Sequence, residues 1–222
     1  MQIAGFAKNS FLDYPGHIAA VVFVPGCNMD CWYCHNRSLW KARNLIHQAY
    51  VLDYLDKRRR FLDGVVISGG EPTLQKDIGD FIKRVHEMGF LVKLDTNGLK
   101  PDVVAALLDS VDYVAMDLKA PPGQLHRVVS NELDDAPIWQ TADLLMGSAV
   151  NYEFRTTFMP LLAIEDIAAI ARRVIGAKRY IIQQYRKSES IAPQPDPHST
   201  DTIKKAAEAA REFIADVTIR GL

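Results

Sequence analysis

This chain has little cysteine, almost no net charge and no long apolar run. Its 222 residues include three cysteines and carry a formal net charge of −1. No apolar stretch approaches the ~18–20 residues that span a bilayer, so a membrane helix is not expected. The opening "MQIAGFAKNS" has no apolar core of a signal peptide, which makes the cytoplasm the expected location. Basic residues gather only in "KRRR" at 57–60, read as the solvated end of a helix, so nucleic acid is not an expected partner. An odd, tightly spaced cysteine set argues against a secreted disulfide framework. Neither an internal repeat nor a low-complexity tract divides the sequence. With 48% hydrophobic and 24% charged residues, the chain is expected to form a single globular domain over 1–222.

What is present is a regular alternation. Short β-branched runs occupy 18–24 ("IAAVVFV"), 64–69, 90–96, 112–118, 151–158 and 179–185. Helical spacing falls between them, most clearly over 74–88, where Leu74, Ile78, Phe81, Ile82, Val85 and Met88 recur before Gly89. Further helices are expected over 101–109, 164–175 and 200–214. Residues 119–140 read as a loop, and the proline-rich 186–198 as extended and exposed. The pattern predicts an α/β fold with a mostly parallel sheet, either an open, partial (β/α)6 barrel or a doubly wound sheet. In both, ligands gather at the C-terminal strand ends. Polar residues stand there in every unit: "CNMDCWYC", "GGEP", "DTNG", "DLK", "RTT" and "QQY". Six in succession point to a site.

All three cysteines, Cys27, Cys31 and Cys34, lie within eight residues. A structural zinc site would want four ligands, and the nearby His35 adjoins Cys34, a strained choice for one tetrahedral ion. A redox pair at Cys31 and Cys34 leaves Cys27 unexplained. An iron–sulfur cluster ordinarily takes four thiolates. Three would leave one iron open to a substrate or cofactor.

Asp95 and Asp117 end neighbouring expected strands. Two like charges ~4 Å apart repel by about 4 kcal/mol at an effective dielectric of ~20, so such a pair calls for a proton, a cation or a donor. Lys119, two residues beyond Asp117, is the nearest candidate, and a bound monovalent cation is another. Arg155, in mid-strand, needs a partner if buried. The tryptophans Trp32, Trp40 and Trp139 are read as packing residues.

"CNMDCWYC" resembles the cluster loop of the radical S-adenosylmethionine (SAM) enzymes, and "SGGEPTL" their glycine-rich SAM-binding motif. With "DYPG", "CHNR", "DTNG", "MDLKAP" and "YEFRTTF", the chain is similar to the activating enzymes of glycyl-radical enzymes, and within them to the anaerobic ribonucleotide reductase activating proteins. The resemblance implies a partial (β/α)6 barrel and a 4Fe-4S cluster on Cys27, Cys31 and Cys34. SAM would chelate the fourth iron and yield a 5′-deoxyadenosyl radical on reduction. That radical would take hydrogen from a glycine of a partner, here an anaerobic ribonucleotide reductase. An external one-electron donor such as flavodoxin or ferredoxin is implied, since no second cluster motif is present. By the same resemblance Tyr33 contacts adenine, and Gly69, Gly70 and Glu71 meet the methionine moiety. Asp95, Asn97, Asp117, Lys119, Arg155 and Gln184 also contact SAM. Two rivals remain at this level: a small radical SAM enzyme acting on a free metabolite, of the 7-carboxy-7-deazaguanine synthase kind, and a non-catalytic metal-binding module.

Overall fold

The computed structural model describes residues 1–187 and 194–222. Its strands are β1 (Gly5–Ser10), β2 (Ala19–Val24), β3 (Gly64–Gly69), β4 (Leu91–Thr96), β5 (Tyr113–Asp117), β6 (Asn151–Phe158), β7 (Tyr180–Gln184) and β8 (Val217–Arg220). The helices are α1 (Gln48–Asp56), α2 (Ile78–Glu87), α3 (Pro101–Leu107), α4 (Ala136–Gly147), α5 (Ile164–Arg173) and α6 (Thr200–Arg211). Hydrogen-bonded strand order follows chain order from β1 to β8. β1 runs antiparallel to β2, whereas β2–β3, β3–β4, β6–β7 and β7–β8 are parallel.

All six expected strands form. The two that the sequence pattern does not announce are the first and last in the order. β1 reads "GFAKNS", half exposed and without a β-branched residue, and β8 has only four residues. Both miss the continuous apolar signature that burial on two faces imposes on "AAVVFV". The helix expected from residue 74 starts later. Leu74 belongs to a 3-10 turn, Pro72–Leu74, and α2 then buries Ile78, Phe81, Ile82 and Val85. Gly89, at φ +87°, ends it as expected. The stretch 119–140 is not all loop: a 3-10 turn covers Leu125–Arg127, and α4 begins at Ala136 with Pro137 in its first turn. "KRRR" follows the end of α1 and is exposed, with Lys57 and Arg59 bonded to Asp53 and Asp56 at 2.7 and 2.8 Å. Of the proline-rich segment, 188–193 lie outside the described residues, and 194–198 are irregular. Among the described residues no helix is long and apolar enough to cross a membrane.

The chain separates into two compact units. The first comprises Met1–Asn28, Asn36–Thr96 and Asp102–Ala115. One face of its strands carries an apolar cluster of Tyr14, Ala19, Val21 and Val66, with Phe23, Leu91 and Tyr113 packed alongside. Register places Val21, Val66 and Lys93 side by side on β2, β3 and β4. The second unit comprises Met29–His35, Asn97–Pro101 and Met116–Leu222. Here the buried Tyr180 hydroxyl donates to Thr156 Oγ1 at 2.7 Å, and Thr156 donates to the Leu118 carbonyl at 2.6 Å. The His198 ring stacks on Phe158 at 4.1 Å, and its Nε2 lies within hydrogen-bond range of the Met159 and Leu162 carbonyls.

Candidate functional site

In the first unit, the end of β3 is locked to the stem that leads into Cys27. Gly70 N–H donates to the Val24 carbonyl at 2.9 Å, and Glu71 N–H to the Gly26 carbonyl at 2.8 Å. Asn36, on the far side of the cysteines, donates from Nδ2 to the Gly69 carbonyl at 3.0 Å. A Cβ on Gly70 would stand 1.8 Å from the Gly26 oxygen. One on Gly69, at φ +112°, would stand 2.4 Å from Val24 N. The sequence assigned these glycines to close approach of a ligand. Within this unit the close approach is already made by the chain's own backbone.

Glu71 is buried and braces the same turn. Its Oε1 accepts from Thr73 N (3.0 Å), Thr73 Oγ1 (2.6 Å) and Thr96 Oγ1 (2.9 Å). Neither threonine stood out in the sequence, because a hydroxyl gains meaning only once its acceptor is located. Removing the acceptor leaves buried donors unsatisfied at about 1–3 kcal/mol. Glu71→Ala is therefore expected to lower unfolding free energy by roughly that amount in a denaturant titration.

One strand over, Asp95 is held from two sides. Ser68 Oγ donates to Oδ2 at 3.2 Å, and the Lys93 ammonium pairs with Oδ1. Lys93, buried to 1% exposure, carried no signal in the sequence, where it reads as one polar residue in an alternating strand.

The second unit carries the other half of the cysteine loop. Cys34 N–H donates to the Cys31 carbonyl at 3.1 Å, closing a turn with Trp32 and Tyr33 at its centre. Segment 129–131 clamps this turn. Cys31 forms a β-bridge with Val129, Ser130 N–H reaches the Asp30 carbonyl at 2.9 Å, and Asp30 N–H reaches Asn131 Oδ1 at 2.8 Å. Trp32 meets the rings of Tyr33 and Tyr185 at 5.7 and 5.8 Å. Burial pushes the Tyr33 phenol up, so it is neutral near pH 7.

Asp117, Lys119 and Arg155 form one group. Arg155 Nε donates to Asp117 Oδ1 at 2.8 Å and Lys119 Nζ to Oδ2 at 3.2 Å. Burial alone would raise the Asp117 carboxyl, but Arg155 and Lys119 outweigh it and hold the group down to about 2. Burial likewise opposes the Lys119 charge. The ionised, hydrogen-bonded Asp117 carboxylate outweighs it, keeping the ammonium well above the usual lysine range. Asn97 accepts from Leu99 N–H at 3.0 Å and shapes the "DTNG" turn. Gln184 is not brought together with Arg155. Register sets Arg155 beside Ile181 but Gln184 beside Phe158, on the opposite strand face. The Gln184 amide donates to the His198 carbonyl at 2.9 Å.

None of the three cysteines is in a disulfide. Among the described residues no three His, Cys, Asp or Glu side chains crowd closely enough to grip a lone metal ion. A cubane cluster spreads its thiolates over separate irons and so needs a wider set. The residues present fit one. Three thiols share a short loop, and the buried Trp32 indole N–H, between two of them, has no acceptor among the described residues. An iron–sulfur cluster would bring sulfur acceptors to it.

The profile of the Radical SAM superfamily matches residues 21–174. A protein of Methanocaldococcus jannaschii, provisionally named a glycyl-radical enzyme activating enzyme, is 35% identical over 98% of this chain and 95% of its own length. Pyruvate formate-lyase 1-activating enzyme of Escherichia coli is 33% identical over 57% of this chain and 55% of its own. Among solved structures, Streptococcus suis SuiB bound to S-adenosylmethionine superposes with a TM-score of 0.71 at 15% identity, covering 90% of this chain and 52% of SuiB. This chain thus matches about half the length of the Escherichia coli enzyme and of SuiB. At that identity the likeness to SuiB shows the fold, the mostly parallel α/β class that the alternation of strands and helices leads one to expect.

Proposed function

We infer, because this chain belongs to the radical SAM superfamily, that it is an activating enzyme which installs a glycyl radical on a partner protein. The observation that carries this reading is the match to the Methanocaldococcus jannaschii activating enzyme, which runs nearly end to end in both chains. Cys27, Cys31 and Cys34 would hold a 4Fe-4S cluster with one iron left for SAM. When bound and reduced, the cluster and SAM together supply a 5′-deoxyadenosyl radical able to take hydrogen from a glycine Cα.

The chain's own groups divide the work of binding. In the second unit, Lys119 and Arg155 gather at the carboxylate of Asp117, and these two cations suit the carboxylate of SAM. The neutral, buried Tyr33 offers an apolar ring beside the cysteines for adenine. In the first unit, Lys93 and Ser68 hold the Asp95 carboxylate, an acceptor group suited to ribose hydroxyls. Gly69, Gly70 and Glu71 seat the loop stem and present backbone to the methionine end. Asn97 shapes the neighbouring turn. Gln184 is omitted from this assignment because register puts it on the strand face opposite Arg155.

The partner proposed is an anaerobic ribonucleotide reductase, on the strength of "SGGEPTL", "DTNG", "MDLKAP" and "YEFRTTF" in a chain with cysteines for one cluster only, whereas "DYPG" and "CHNR" favour an activating enzyme over the metabolite enzymes. Flavodoxin or ferredoxin would deliver the electron. The test is anaerobic reconstitution with iron and sulfide, then reduction with SAM, with and without candidate glycyl-radical enzymes. A glycyl doublet in electron paramagnetic resonance is expected with the reductase. Deoxyadenosine release that rises with a small molecule, and with no protein radical, would move the assignment to the metabolite enzymes.

A further inference from the structure

We propose that Lys93 is a built-in counter-ion for this site, positioning Asp95 and making SAM binding independent of any mobile monovalent cation. The inference rests on the reading of Asp95 as a SAM contact.

Position is the first argument. Lys93 stands in register with Val21 and Val66, two members of a buried apolar cluster. An ammonium enclosed at such a level is strongly unfavourable unless it meets an opposite charge. Its aliphatic stem can lie along the apolar row while its head reaches one row further, to Asp95. Residues two apart on a strand share a face, so the pairing follows directly from the pleat.

Geometry is the second. Lys93 takes Oδ1 of Asp95, and Ser68, from the adjacent strand, takes Oδ2. Two donors from two strands fix both the place and the plane of the carboxylate. An ionised carboxylate has roughly four acceptor positions, which suits a group that meets both protein donors and ligand hydroxyls. Asp95, at 14% exposure, is the more accessible member of the pair.

Charge is the third. The sequence placed two carboxylates at strand ends, with Lys119 as the nearest cation and a bound monovalent ion as another candidate. The structure supplies Lys93 to Asp95, and Lys119 with Arg155 to Asp117. Each of these two carboxylates has a covalently tethered cation, which answers the charge a mobile ion would otherwise meet there.

The test uses full-length protein with its cluster reconstituted but oxidised, so that SAM binds without being cleaved. SAM affinity is measured by equilibrium dialysis in choline, sodium and potassium chloride at equal ionic strength. Wild-type affinity is expected to agree within about twofold across the three salts, a spread of ~0.4 kcal/mol. Lys93→Met is expected to bind about tenfold more weakly in choline and to recover part of the loss in sodium or potassium. A tenfold gain of the wild type in potassium over choline overturns the proposal, and that arm needs no variant. Asp95→Asn separates the two layers. If it weakens binding while Lys93→Met does not, Lys93 has no such role. If neither variant weakens binding, the assignment of Asp95 to SAM fails, and the proposal with it.

Discussion

Gly70→Ala is expected to abolish cluster uptake, leaving iron and sulfide near background after anaerobic reconstitution. The added methyl would lie 1.8 Å from the Gly26 carbonyl oxygen and 2.6 Å from its carbon. Both partners are backbone, so no rotamer change relieves the overlap. Either β3 or the stem before Cys27 must move by more than an ångström. Overpacking of this kind costs about 1–3 kcal/mol or more. Displacing the stem also threatens the bond from Glu71 N–H to the Gly26 carbonyl, worth about 0.5–1.5 kcal/mol. The sum, roughly 2–4 kcal/mol, should appear as an earlier denaturant midpoint. Gly79→Ala provides the contrast. It lies inside α2, where a Cβ would meet only Leu107 at 3.8 Å. That substitution should leave iron content intact and raise stability by up to ~1 kcal/mol through helix propensity. Full iron loading of Gly70→Ala would show that the stem is not seated as described.

The second large effect concerns Asp117. Asp117→Ala leaves Lys119 and Arg155, exposed by 13% and 11%, without the carboxylate they share. Removing one member of a buried ion pair typically costs about 3–5 kcal/mol. Asp117 is itself 31% exposed, so the low end, ~3 kcal/mol, is expected here. SAM affinity should fall as well, because the two cations lose the group that orients them. The pH dependence follows from the direction of the shift. The folded-state pKa, about 2, lies below the ordinary aspartate value of ~3.9. The Asp117 contribution is therefore fully present above that ordinary value and is lost as pH falls through about 2. A wild-type stability profile should drop across this acid window, and Asp117→Asn should flatten that component.

Gly70 and Asp117 also mark how far a sequence can be read. Gly70 is legible as a site residue, but its reason is not, because the Gly26 carbonyl that excludes a side chain comes from another strand's end. Asp117 and Lys119 pair as their spacing suggests, whereas Arg155 arrives from β6, 38 residues away. Gln184 and its neighbour Gln183 differ by one position, and only the register with β6 tells which of them shares a face with Arg155. Lys93 was silent for the same reason. Nothing near it in the chain reveals that its row is walled by Val21 and Val66.

What the amino-acid order determined alone was chemistry set by covalent proximity. Three thiols in eight residues, glycines at a strand end and a regular alternation of apolar runs need no distant partner to be recognised. What only the tertiary structure decided was which charge meets which, and which backbone leaves no room for a Cβ. Those outcomes depend on strand pairing between segments far apart in the chain. A shift of one residue in that pairing reverses the face of every side chain.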